Sequence, residues 1–146
     1  MNILHVDFET RSEVDLRGKE SVGLYNYATH KSTRALMLAW AINDEKPSLW
    51  EVEKDERMPA RLQEAVINPD IKLAAWNSQF ERYIFKYCLN FNIPYHRWLD
   101  PQTSARYLSL PDDLETAGIA MSLPDEMLKD AKGEELIDIF SGPTKT

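Results

Sequence analysis

Ile3-Leu4-His5-Val6-Asp7-Phe8-Glu9-Thr10 is an apolar run interrupted by two carboxylates two residues apart. Side chains alternate faces along a strand, so as a strand this run covers one face with Leu4, Val6 and Phe8 and projects Asp7 and Glu9 from the other. Two acids at that separation repel each other: either one takes a proton, or a divalent cation stabilises both as carboxylates. The plainer alternative is an edge strand with a solvated acidic face. Spacing alone does not choose between them, because Asp113-Leu114-Glu115 repeats the pattern. That second copy follows Pro111 in a helical pattern, where it places negative charge at a helix start.

The remaining composition sets the frame. With 146 residues, 43% of them apolar, the chain can bury one substantial core, and a single α/β domain over residues 1–146 is expected. Cys88 is the single cysteine and lies inside an apolar helical pattern, so disulfide frameworks and zinc-thiolate sites are excluded and a reducing, cytoplasmic setting is expected. The start lacks a basic-then-apolar signal segment, and no apolar run approaches the ~18 residues that span a bilayer, so no membrane partner is expected. The net charge of -7 argues against a broad phosphate-binding surface. It leaves room for a local site of carboxylates and divalent cations, where bound metal offsets the negative charge at the point of contact with phosphate.

Outward from the opening run, Thr10 to Glu20 reads as an irregular connection and Val22 to Ala28 as a short helix. Ala35 to Ile42 is a buried strand ending in a turn at Asn43-Asp44, and a second strand follows Pro47 through Trp50 and Val52. Met58 to Ile67 carries Leu62, Val66 and Ile67 at helical spacing, with Asn68-Pro69-Asp70 as its stop. Ile71 to Trp76 is a short strand, Ser78 to Leu89 a helix, and Tyr95 to Leu99 a strand after Pro94. Helices are then expected from Asp100-Pro101 through Leu108, from Asp113 to Met121 and from Gly133 to Phe140. Strands joined by tight turns, then strands alternating with helices, predict a mixed sheet with helices packed on both faces.

The step Ala74-Ala75-Trp76-Asn77-Ser78-Gln79-Phe80-Glu81 passes from strand into helix, the place where α/β sheets gather ligand-binding groups. Asn77 or Ser78 can cap the helix, Asn77 and Glu81 share a face, and Phe80, Ile84 and Cys88 form the stripe that packs on the sheet. A simple capped helix, with Glu81 assisting its first turn, explains the same residues.

Taken together, Asp7-Phe8-Glu9-Thr10 and Asn77-Ser78-Gln79-Phe80-Glu81 resemble the first and second motifs of the DEDD, or DnaQ-like, 3′-to-5′ exonucleases of ribonuclease H-like fold. Within that family the chain most resembles the proofreading domain of phage-type family A DNA polymerases. Gly23-Leu24-Tyr25-Asn26-Tyr27-Ala28, Ala105 to Pro111 and Lys132 to Ile137 are similar to that group's spacing, so the resemblance covers nearly the whole chain. It implies hydrolysis of the terminal phosphodiester of DNA with two divalent ions, Mg2+ or Mn2+. Asp7 would bridge the two ions, Glu9 would hold the ion that activates water, and Glu81 would complete the cluster. It also implies that Thr10, through its backbone amide, and Asn77, through its side chain, contact the terminal nucleotide, with Leu24, Tyr25 or Phe80 against its base. The implied partners are a single-stranded DNA 3′ end and a polymerase domain in cis or in trans.

The resemblance has two gaps. The family's third motif is a Tyr or His four residues before an Asp on a late helix, and the one such spacing here, His96 to Asp100, falls early and on an expected strand. Asp100-Pro101-Gln102-Thr103 is similar instead to the strand-end step between the second and third motifs. The chain therefore reads as an exonuclease-like domain lacking its C-terminal helix or helices, with weak or absent activity on its own. Trp76 stands where the family usually has a His. Two other readings stay open: a non-catalytic nucleic-acid-binding or polymerase-docking module of the same fold, and an acidic adaptor in which Asp7 and Glu81 lie far apart.

Overall fold

The alternation expected of the opening run is realised in β1 (Ile3–Arg11), where Leu4, Val6, Phe8 and Thr10 are buried while His5 and Asp7 are exposed. The computed structural model describes residues 1–55 and 57–128. After β1 come α1 (Leu24–Thr29), β2 (Arg34–Ile42), β3 (Ser48–Trp50), α2 (Ala60–Ile67), β4 (Lys72–Ala74), α3 (Gln79–Tyr87), β5 (Trp98–Leu99), α4 (Pro101–Tyr107) and α5 (Leu114–Ala120). The helix expected over 133–140 lies outside the described residues.

The strands form one mixed sheet in the order β3-β2-β1-β4-β5. β1 pairs antiparallel with β2 and parallel with β4, and β5 pairs parallel with β4. Short turns suffice for the antiparallel half, and Asn43, in the left-handed region at φ 53°, makes the β2 to β3 turn while its side chain accepts the Ile3 N–H at 2.9 Å. The parallel half needs crossovers, which α2 and α3 supply.

Tyr27 and Ala28 of α1, Leu62, Ala65 and Val66 of α2, and Ile84 and Phe85 of α3 are buried in one cluster with Leu4, Val6 and Phe8. α3 meets the sheet through Phe85, whose ring stands edge-on to Phe8 at 4.9 Å between centroids. On the opposite face, small side chains at Ala39, Ala41 and Ala74 leave a groove of about 420 Å³, bordered by Trp76 and by the starts of α4 and α5 at Pro101 and Leu114. The α/β architecture, with a mixed sheet and helices on both faces, is as expected.

Two local expectations change. The strand expected over Tyr95 to Leu99 forms only at Trp98–Leu99, and Tyr95–Arg97 makes a single 3-10 turn. The reason is Arg97, whose buried guanidinium donates to the carbonyls of Ile71 at 2.9 Å, Val66 at 2.7 Å and Ala65 at 3.2 Å. Capping the end of α2 in this way satisfies carbonyls that the helix leaves open and holds residue 97 away from an extended path. The second acidic pair behaves as a helix start: Asp113 is the N-cap of α5, accepting the Thr116 N–H at 2.9 Å, and Glu115 lies in the first turn.

Candidate active site

β4 pairs with β1 only from Ile3 to His5, because at Ala74 the chain leaves the sheet. Beyond His5 that edge of β1 has no strand partner, and its backbone groups are left for side chains to satisfy. Glu81, in the first turn of α3, fills the gap: its carboxylate accepts hydrogen bonds from the Phe8 N–H and from its own N–H. The side chain is only 4% exposed, and Oε2 has no hydrogen-bond partner. Burial above all pushes the Glu81 carboxyl up to about 8, and the nearby charges of Asp7 and Asp100 push in the same direction. Two motifs distant in sequence thus meet at the end of β1, which removes the reading in which Asp7 and Glu81 lie far apart.

Asp7 pairs with Ala39 and Glu9 with Met37 across β1 and β2, and Asp7 opens onto the apolar groove. Among the described residues, no three His, Cys, Asp or Glu side chains converge closely enough to hold a metal ion.

The turn between β4 and α3 is held from outside. Asn77 adopts the left-handed conformation at φ 58°, and its N–H donates to Asp100 Oδ1 at 3.1 Å. The Ser78 N–H and hydroxyl donate to Asp100 Oδ2 at 2.9 and 3.1 Å, and the Gln102 N–H donates to Oδ1 at 3.0 Å. Hence the expected side-chain cap from Asn77 or Ser78 is not formed: the carboxylate of Asp100, at the end of β5, holds the two residues that precede α3 while capping α4. Asn77 precedes the helix and does not share a helical face with Glu81, and its side chain is exposed. The stripe facing the sheet is Glu81, Ile84, Phe85 and Cys88, with Phe80 half-buried against Tyr27 at 6.5 Å between centroids.

No family model matches the chain. Over 145 residues it is 29% identical to a DNA polymerase of Bacillus phage SP02, a match covering 99% of this chain and 22% of that polymerase, so the chain spans only a minor part of that relative. The EXO domain of Aedes aegypti Nibbler matches the fold with a TM-score of 0.50 at 12% identity, over 98% of this chain and 65% of that chain. The fold is that of this EXO domain.

The pair at the third-motif spacing divides. His96 is exposed on the 3-10 turn, whereas Asp100 is committed to three N–H groups and a hydroxyl. Replacing Asp100 with Asn removes the charge and part of this acceptance, so Asp100→Asn is expected to destabilise the domain by about 2–3 kcal/mol. Urea unfolding at neutral pH would register this as a lowered midpoint. Trp76, where the family usually has a His, donates its indole N–H to the Asp112 carbonyl at 3.0 Å, and Gln102 donates to the same carbonyl at 2.9 Å. Trp76 therefore anchors the α4 to α5 connection. No helix among the described residues is long and apolar enough to cross a membrane.

Sequence reading missed two residues near the candidate site. His5 lies on the same face of β1 as Asp7 and lines the same groove, and the alternation that singled out Asp7 and Glu9 singles it out equally. Tyr27 reaches Thr10 from α1, with its hydroxyl 2.7 Å from Thr10 Oγ1, and no local pattern announces that contact.

Proposed function

We propose that this chain is a 3′-to-5′ exonuclease domain of a DNA polymerase, removing the terminal nucleotide of a single-stranded DNA 3′ end by hydrolysis. The observation that carries the reading is Glu81: a buried carboxylate with an unpartnered oxygen, beside Asp7, at the unpaired edge of β1. Without a cation such a carboxyl holds its proton, and a cation beside it would favour the carboxylate. Carboxylate oxygens are the donors that hard divalent ions such as Mg2+ or Mn2+ prefer, and Asp7, Glu9 and Glu81 are the residues that would converge to hold them. A bound pair of such ions supplies the positive charge that activates water and stabilises the leaving oxygen.

This chain's own residues do the rest. Asp7 and Glu9 project from one face of β1, and the Phe8 N–H fixes one oxygen of Glu81, leaving Oε2 for a cation. Thr10 through its backbone amide, Asn77 through its exposed side chain and Phe80 through its ring are assigned to the terminal nucleotide. The DNA polymerase relative and the fold of an EXO domain support the reading of an exonuclease domain, with the remaining polymerase joined in cis or in trans.

A non-catalytic module that binds a 3′ end is the second reading, favoured by the lack of three converging ligands among the described residues. The two part in one assay. A 5′-labelled single strand incubated with the chain and Mg2+ or Mn2+ is expected to shorten stepwise and slowly, because the described residues supply neither a general base nor a further uncommitted carboxylate at the third-motif spacing. That lack is worth about 10²–10⁴ in rate. Binding of the 3′ end without any shortening would establish the module, and shortening that survives EDTA would overturn metal dependence.

A further inference from the structure

We propose that the groove on the open face of the sheet is a docking surface for the chain's own segment 129–146, which seats Leu136, Ile137 and Phe140 there, a role independent of the proposed exonuclease activity.

The small side chains of Ala39, Ala41 and Ala74 leave a hollow of about 420 Å³ over the sheet, and His5 and Asp7 are its ionisable lining residues. Two large apolar side chains flank it. Leu49, opposite Ala39 across β2 and β3 and so on the same face of the sheet, is 57% exposed, and Leu114, at the start of α5, is 54% exposed. An apolar hollow with exposed leucines on either side is the kind of patch that meets another surface.

Where the described chain ends points to the occupant. Leu114 and Gly118 are four apart on α5 and share its face, about 6 Å from each other along the axis. A Cβ at Gly118 would stand 3.0 Å from Leu128 Cδ2 and 3.5 Å from Leu123 Cδ1, so the bare glycine lets the chain fold back onto α5. Leu128 is thereby held about one turn from the border of the groove. Leu136 follows eight residues later, a reach of up to about 26 Å, ample to cross it.

The segment also carries matching chemistry. In the helix expected over Gly133 to Phe140, Leu136, Ile137 and Phe140 fall on one side and Glu134, Glu135 and Asp138 on the other. Acids turned inward would meet Asp7 in the groove, so the apolar side is the one that enters.

Acrylamide quenching of tryptophan fluorescence, measured on the full chain, tests the docking. Trp40, Trp50 and Trp98 are at most 9% exposed, so the quencher reaches chiefly the half-buried Trp76 at the border of the groove. Leu136→Asp and Phe140→Asp are each expected to raise the quenching constant, and Asp138→Ala to leave it unchanged. In a Trp76→Phe background the rise should vanish, whereas general unfolding would expose the other three indoles and preserve it. In a Cys88→Ser background, the thiol introduced by Ala39→Cys should be alkylated several-fold faster once Phe140→Asp is added. Equal quenching and equal alkylation with and without the aspartates overturn the proposal, as does a rise that persists with Trp76→Phe. Protection that depends on protein concentration overturns it in favour of a second copy of the chain.

Discussion

Asp7→Ala is expected to reduce metal-dependent trimming of a single-stranded 3′ end by at least about a hundredfold, to the level of a no-enzyme control. Asp7 is an exposed carboxylate beside the buried Glu81, on a strand that cannot move without disturbing β2. Alanine keeps the strand and removes the charge, and a cation site missing a ligand loses several kcal/mol of transition-state stabilisation, which is a hundredfold or more. The matched control is Asp113→Ala. It breaks the other Asp-x-Glu pair and is expected to cost about 1 kcal/mol through loss of an N-cap while leaving trimming unchanged. Equal loss of trimming in both variants would show that acidity in general, and not this site, carries the activity.

The second large effect is on stability. The Glu81 carboxyl titrates near 4.5 when exposed and is pushed up to about 8 in the fold. Between those values the native state binds more protons than the unfolded state, so stability falls as pH rises. The penalty is absent below about 4.5, grows through the window and levels off above about 8, at about 5 kcal/mol in total. Asp112, whose carboxyl is held low by the Arg106 hydrogen bond, acts in the opposite direction and at lower pH. Urea midpoints in EDTA at pH 5.5 and 8.5 should therefore differ for the wild type and be level for Glu81→Gln, which keeps an acceptor for the Phe8 N–H. Added Mg2+ should raise the wild-type midpoint at pH 8.5 and leave that of Glu81→Gln in place. A flat wild-type profile in EDTA would mean that Glu81 is already paired or solvated in the fold.

Which residues were legible follows from how local their constraints are. β1 was readable because a period of two over Ile3 to Thr10 depends only on strand geometry, and the same rule would have added His5 to Asp7 and Glu9. The role of Asp113 was readable from its neighbours, since an N-cap is satisfied within the next turn. Asp100 was not, because its donors at residues 77 and 78 are supplied by an adjacent strand end. The expected face shared by Asn77 and Glu81 failed for the same reason: the Asp100 carboxylate draws the Asn77 N–H into a left-handed turn before the helix begins.

By itself, then, the sequence determined the alternating strand, the helices with their apolar stripes and, by resemblance, the likeness to a DnaQ-like exonuclease. Only the tertiary structure decided that Glu81 meets Asp7, that β4 stops short and leaves the Phe8 N–H to Glu81, and that Tyr27 pairs with Thr10. Periodicity reports which face of one element is apolar; it carries no information on which polar atom of another element will arrive there. That is settled when the sheet closes and each buried donor or acceptor must find a partner.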